Sequence, residues 1–262
     1  MEAGKQSALW NDWVFRYQYV FGRRYTKRQK KKFIQALAAD LKQLGQPVRI
    51  ARLGPSGKEE YVVIAGNRKT AKKVILTHYE SARTQLGCLH LFDAADCRKK
   101  TMRRFGIDVL LWLAYAVPIL ILWQQKKLPW WLSVAALLLL FAWARTIRNG
   151  TSLSHAPVRN TSSVMAMLHM AKHGMPDTAY VFVEREFRDM EETRKALKLN
   201  KDQRLIVFNC VGAQAPLHHQ MKDGIEYVFA ACRKQGQYVL DSRLLGSKTI
   251  SEKQISQVME LV

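Results

Sequence analysis

His169 and His173, four residues apart, would share one face of a helix, the spacing at which a helix can grip a metal ion. No His-Glu-x-x-His glutamate accompanies them and no third ligand lies nearby, so they read as solvent-exposed helix histidines. A second pair, His218-His219, follows Pro216 in a segment that reads as loop surface. Glu184, Glu186, Asp189, Glu191 and Glu192 form an acidic cluster, and carboxylates are the groups that hold metals or move protons. They also suit the positive end of a helix dipole, and a solvated helix start is the reading we adopt for them. Cys88, Cys97, Cys210 and Cys232 show no CxxC pairing and are expected as reduced thiols facing the cytosol.

The elements that must position these groups alternate between helix and strand. Thr26 can cap a helix whose Phe33, Leu37, Leu41 and Leu44 share a face and whose end is marked by Gly45. VRIARL and EEYVVIA flank a GPSGK turn as a hairpin, and KKVILTH suits a buried central strand. Ser163 to His173 reads as a helix, followed by the strand TAYVFVE, a helix from Arg188 to Lys198, and the strand RLIVFN. IEYVFAA and QYVLD read as further strands, and a last helix starts at Ser251. The pattern predicts an α/β domain with a mixed sheet in three layers, built discontinuously from residues 1–106 and 146–262.

Residues 107–145 interrupt it. Ile107 to Trp123 reads IDVLLWLAYAVPILILW and Leu128 to Ala144 reads LPWWLSVAALLLLFAWA, each near the short end of what crosses a bilayer core. Trp123, Trp130 and Trp131 cluster at the turn as an interfacial belt, so a transmembrane helical hairpin in the cell membrane is expected. Pro118 should kink the first helix without ending it, and Asp108 should snorkel to water. Arg98, Lys99, Lys100, Arg103 and Arg104 before the hairpin, with Arg145 and Arg148 after it, outnumber Lys126 and Lys127 in the turn. Both soluble parts are therefore expected in the cytoplasm. The first residues, MEAGKQSALWNDWVF, carry no apolar core of a removable signal, so the hairpin should direct targeting.

The formal net charge, 42 basic against 21 acidic residues or +21, requires an anionic partner. No helix-turn-helix or zinc-finger spacing is legible, so the anionic bilayer is expected as that partner and nucleic acid is not. The run Arg23 to Lys32, RRYTKRQKKK, reads as a solvated helix face, where each residue near anionic lipid gains about 1 kcal/mol. Upstream, Trp10, Trp13, Phe15, Tyr17, Tyr19 and Phe21 either lie in the interface or pack onto the domain.

Four segments in order carry a resemblance: Thr77-His78-Tyr79-Glu80-Ser81, Asn160-Thr161-Ser162-Ser163-Val164, Phe182-Val183-Glu184-Arg185-Glu186, and Val207-Phe208-Asn209-Cys210-Val211-Gly212. The chain from about Tyr25 onward resembles the co-catalytic zinc aminopeptidases, family twenty-eight of the metallopeptidases. That resemblance implies a mixed sheet between helices and two zinc ions activating a water against a peptide carbonyl. It also implies which positions matter. His78 matches the first ligand, Glu80 stands where an Asp would orient it, and Asn160 matches the residue after the bridging Asp. Arg159 falls on the bridging Asp itself, and a permanently cationic guanidinium does not ligate zinc. Glu186 falls at the general base with Phe187 at the next ligand, Asn209 replaces a ligating Asp, and LLGSKTISEKQ lacks the last histidine.

These six positions are therefore expected as degenerate remnants, with no catalytic, cofactor or metal role. Arg159 is expected to sit among Glu80 and Glu186 as a fixed charge in place of the metal. The expected function is a membrane-anchored, metal-free pseudopeptidase that serves as a peptide- or protein-binding scaffold subunit of a membrane complex, in peptide maturation, export or immunity. The alternatives are an active membrane-bound zinc metallo-aminopeptidase and a purely structural subunit.

Overall fold

A computed structural model of the chain describes residues 2–53, 60–81, 86–125, 129–149, 157–184, 190–200 and 202–262. Ahead of the helix announced by Thr26 stands another, α1 (Glu2–Val14), which runs on into a π-helical stretch, Phe15–Val20. Trp10, Trp13 and Tyr17 point inward and are buried, whereas Phe15 and Tyr19 are exposed. Of the two readings of this aromatic segment, packing onto the domain is the one observed for its inward face. Helix α2 (Lys27–Gln43) begins with a capping box, in which the Thr26 hydroxyl accepts from the Gln29 amide and the Gln29 side chain accepts from the Thr26 amide. Gly45, at φ 77°, ends it in the left-handed conformation that glycine adopts freely. Asp40 on α2 ties the N-terminal segment down, accepting from Tyr17 Oη at 2.5 Å and from Arg16 at 2.7 Å.

The strands β1 (Val48–Leu53), β2 (Glu60–Ala65) and β3 (Lys73–His78) lie where the apolar patterns place them, while residues 54–58, the GPSGK turn, lie outside the described residues. After β4 (Leu89–His90) come two long helices, α3 (Ala94–Gln124) and α4 (Trp130–Asn149), and then α5 (Thr161–His173), β5 (Thr178–Val183), α6 (Met190–Ala196) and β6 (Arg204–Asn209). The chain closes with β7 (Leu217–Lys222), β8 (Ile225–Ala230), β9 (Cys232–Lys234), β10 (Gln237–Leu240), α7 (Ser242–Leu245) and α8 (Glu252–Glu260). His218 and His219 thus lie on a strand, not in a loop. LHHQMK has no apolar alternation, and its strand conformation comes from antiparallel pairing with β8 along its whole length.

The described residues form a seven-stranded mixed sheet, order β1-β2-β5-β3-β6-β8-β7, and a three-stranded one, β4-β10-β9. In the larger sheet β5, β3, β6 and β8 run parallel, and the outer pairs are antiparallel. Tyr180 and Phe182 of β5 pack on one face with Phe33 and Leu37 of α2, Leu168 of α5 and Ile255 of α8. Val181 and Val183 face the other way, with Leu197 beyond α6. This alternation produces helix, sheet and helix as three layers.

The two apolar segments are helical, and they leave the domain. In their most apolar eighteen-residue windows, 11% of α3 and 17% of α4 is buried, so neither is a core helix. Both are long and apolar enough to span a bilayer. They pair through a hydrogen bond from Trp112 Nε1 to the Leu140 carbonyl at 3.0 Å and an edge contact of Tyr115 with Trp143. Pro118 is accommodated within α3. Asp108, rather than reaching for water alone, is ion-paired with Arg104 one turn earlier at 3.1 Å.

Candidate functional site

β3, β5 and β6 are parallel neighbours, so their carboxyl ends open on one edge of the sheet, where ligands of α/β folds bind. His78 is the last residue of β3, opposite Val183 of β5, and Asn209 is the last residue of β6. Beyond those ends the backbone keeps the strands together: Tyr79 N donates to the Val183 carbonyl at 2.9 Å and Glu80 N to the Glu184 carbonyl at 3.2 Å. The start of α5 docks onto the same edge. Asn160 Nδ2 donates to the Glu80 carbonyl, and Cys210 N donates to the Arg159 carbonyl at 3.1 Å. Gly212 explains how close this approach is, since a Cβ there would meet Ser162 Cβ at 2.6 Å.

His78, Glu80, Arg159, Asn160 and Asn209 are therefore brought to one edge of the sheet, where His78, Arg159 and Asn160 are buried. Glu186 lies outside the described residues. Glu80 is paired with Lys30 of α2, whose ammonium lies 2.8 Å from Glu80 Oε1 and 2.6 Å from Glu184 Oε1. The α2 ammonium is thus a cation on Glu80 that the sequence did not point to. Glu184 is likewise no solvated helix-start acid, since it also accepts from Tyr79 Oη at 3.4 Å. Burial, and then the Glu184 charge, push the Tyr79 phenol far above its ordinary range, so it stays a hydrogen-bond donor.

Lys30 was hidden inside a basic run, but its spacing marks it. It stands on the apolar stripe of α2 with Phe33, Ile34, Leu37 and Leu41, at i+3, i+4, i+7 and i+11. Its side chain runs under the domain instead of into solvent. Arg24, from the same run, is also buried, and its backbone N–H donates to Ser81 Oγ at 2.8 Å, beside Glu80.

The donor set does not fit the zinc pair that the resemblance implies. Two zinc ions need imidazole and carboxylate groups free to converge, with a bridging carboxylate between them. Here Glu80 and Glu184 are paired with an ammonium, and Asn209 Oδ1 accepts from Cys210 Sγ at 3.1 Å. Among the described residues no three His, Cys, Asp or Glu side chains converge as a metal site. The His169–His173 pair faces elsewhere, with ring centroids 4.7 Å apart. His173 is exposed, but His169 is buried beneath Trp10 and Met259, which corrects the reading of both as solvent-facing. Burial, then His173 and Lys172, lower the His169 pKa.

No protein-family profile matches this chain, and no curated protein sequence does. Among solved structures it is similar to the glutaminyl cyclase of Tannerella forsythia, at 11% identity over 96% of this chain and 94% of that one, TM-score 0.51. It is similar to the same degree to a Zn-dependent exopeptidase of Parabacteroides distasonis, at 11% identity over 94% of each chain, TM-score 0.51. A Porphyromonas gingivalis glutaminyl cyclase matches at 13% identity over 81% of this chain, TM-score 0.41, and this chain spans 62% of that protein's length. The mixed sheet between helices is the aminopeptidase-like fold shared by that T. forsythia cyclase and that exopeptidase, and the cleft at its parallel strand ends is the candidate site.

Proposed function

We propose that this chain is a membrane-anchored, metal-free peptidase-fold protein whose cleft binds a peptide or protein segment, as a scaffold subunit of a membrane complex. The observation that carries the reading is Lys30, bonded to Glu80 at 2.8 Å and to Glu184 at 2.6 Å. A protein-borne ammonium pairs with two carboxylates at the strand ends, and a divalent cation beside it would meet like-charge repulsion. The cleft keeps the polar, strand-end setting in which the fold receives peptide ends. The exposed faces of α3 and α4 supply the anchor, and the basic flanks and the +21 charge suit a cytoplasmic domain lying against anionic lipid.

The test is metal analysis of the detergent-purified protein together with assays of aminopeptidase and glutaminyl cyclase activity. Substoichiometric zinc and no chelator-sensitive turnover are expected. One or more zinc ions per chain with activity abolished by chelation would reverse the reading in favour of an active metalloenzyme. Partners co-purified from native membranes should be lost with Arg159→Ala or Glu184→Gln, and a purely structural subunit would retain them.

A further inference from the structure

Arg24 presents a problem that the cleft does not solve. Its side chain is 2% exposed, yet among the described residues the ionisable groups that act on it are the phenols of Tyr25, Tyr17 and Tyr79, with no carboxylate among them. One guanidinium nitrogen, Nη2, donates to Thr161 Oγ1 at 2.6 Å. Nε and Nη1 have no hydrogen-bond partner. A buried guanidinium with unmet N–H groups and no counter-charge among the described residues is strongly unfavourable, so such an arrangement points to a missing partner. Burial lowers its pKa only to about 10, so it remains charged near neutral pH.

The surroundings define what the partner must be. The guanidinium lies over the Phe33 ring at 4.7 Å, and Phe33 in turn stacks on Tyr79 at 5.4 Å. Stacking occupies a face of the guanidinium and leaves its in-plane N–H edges for a ligand, the geometry that suits an oxoanion. Thr161 is the first residue of α5, a thirteen-residue helix whose dipole is positive at this end. Asn160, the cap residue, makes no side-chain bond to that end because its amide is committed to the Glu80 carbonyl. In the same turn the fully buried Ser163 hydroxyl also lacks a partner. Fixed positive potential and unused donors are thus concentrated at one point beside the cleft.

We propose that Arg24, seated between Phe33 and Thr161 at the start of α5, anchors a binding site for a small oxoanion, a carboxylate or a phosphate group. The site is distinct from the Lys30–Glu80–Glu184 cluster and does not depend on whether the cleft holds a metal or on what the cleft binds. Arg24 supplies the charge, and Thr161 positions it.

The full-length protein in detergent, titrated with sodium phosphate or sodium acetate at constant ionic strength, tests this by thermal denaturation. A saturable rise in melting temperature is expected with at least one of the two, and the anion that saturates at lower concentration identifies the group recognised. Arg24→Met should weaken that anion at least tenfold while keeping or raising the melting temperature without ligand, because an uncompensated buried charge has been removed. Thr161→Val, which keeps the guanidinium but removes its hydroxyl partner, should weaken binding several-fold and decides the matter if Arg24→Met does not fold. No saturable stabilisation by either anion, or equal affinity in wild type and variants, overturns the proposal.

Discussion

α4 and α5 are both rich in apolar residues, and they meet opposite fates. Every residue of α5 from Thr161 to Ala171 is buried in protein, including three hydroxyl residues and His169. On α4, Leu138, Leu139 and Phe141 are more than 60% exposed. The difference shows that apolar content does not decide whether a helix joins the core. α5 buries its polar groups because strand ends and α8 surround it, whereas α4 presents apolar side chains on every side and needs an apolar medium around it. The domain is stabilised from within, and the hairpin leaves most of its apolar side chains uncovered by the chain.

Truncating one leucine in each helix breaks or sharpens that contrast most directly. Leu168→Ala on α5 should cost about 2–5 kcal/mol in chemical denaturation of the domain, because a fully buried side chain leaves a cavity among packed neighbours. Leu139→Ala on α4 should change domain stability by less than about 0.5 kcal/mol. If Leu139→Ala destabilised the domain as Leu168→Ala does, α4 would be packed against protein in solution and the membrane reading would fail. The next largest effect belongs to the cleft. Lys30→Ala should cost about 2–3 kcal/mol in the same measurement, since two facing carboxylates lose their shared ammonium. The loss stays below that of a fully buried pair because the Glu80 side chain is 26% exposed. An unchanged denaturation midpoint would show that Lys30 is not the cation holding the strand ends.

What was legible in the sequence follows the same division. β2, β3, β5, β6 and β8 are marked by runs of Val, Ile, Phe and Tyr because their side chains meet protein on both faces, and the hairpin is marked because its two helices are long and apolar enough to span a bilayer. Motif order alone points to His78, Asn160 and Asn209, which lie at the strand-end edge of the sheet. Lys30 and Arg24 were missed because a basic run near a predicted membrane reads as surface. Both are buried through long-range partners, Glu184 and Thr161, that lie far away in sequence. β7 was missed because register with β8, a tertiary property, makes it a strand.

Glu226, on β8, extends the comparison to pH. Its hydrogen bonds from Arg204, 2.7 and 2.8 Å, lower its pKa against the opposing effect of burial, with His219 assisting at 3.0 Å. A carboxyl held below its unfolded value contributes stability above about pH 4.3 and loses that contribution as pH falls through the native value. Glu226→Gln should therefore flatten the acid limb of the melting curve, while charge-neutral substitutions on α4 leave it unchanged. An acid limb as steep in Glu226→Gln as in wild type would assign acid sensitivity to other carboxylates.

The smallest effect, and the one that returns to α5, concerns His169. Because burial lowers its pKa in the folded protein, the unfolded chain takes up a proton first as pH falls below about 6.5. Stability then declines from that point down to the native pKa, which is the opposite of what a histidine paired with a carboxylate would give. His169→Leu should remove this part of the pH dependence and leave the Glu226 limb in place, because the two sites share no partner. Were the pH profile of His169→Leu identical to wild type between about pH 5 and 6.5, the ring would have to be protonated in the folded state. The end of α8 at Met259 and the Trp10 edge would then have to tolerate a charge that their apolar packing does not suit.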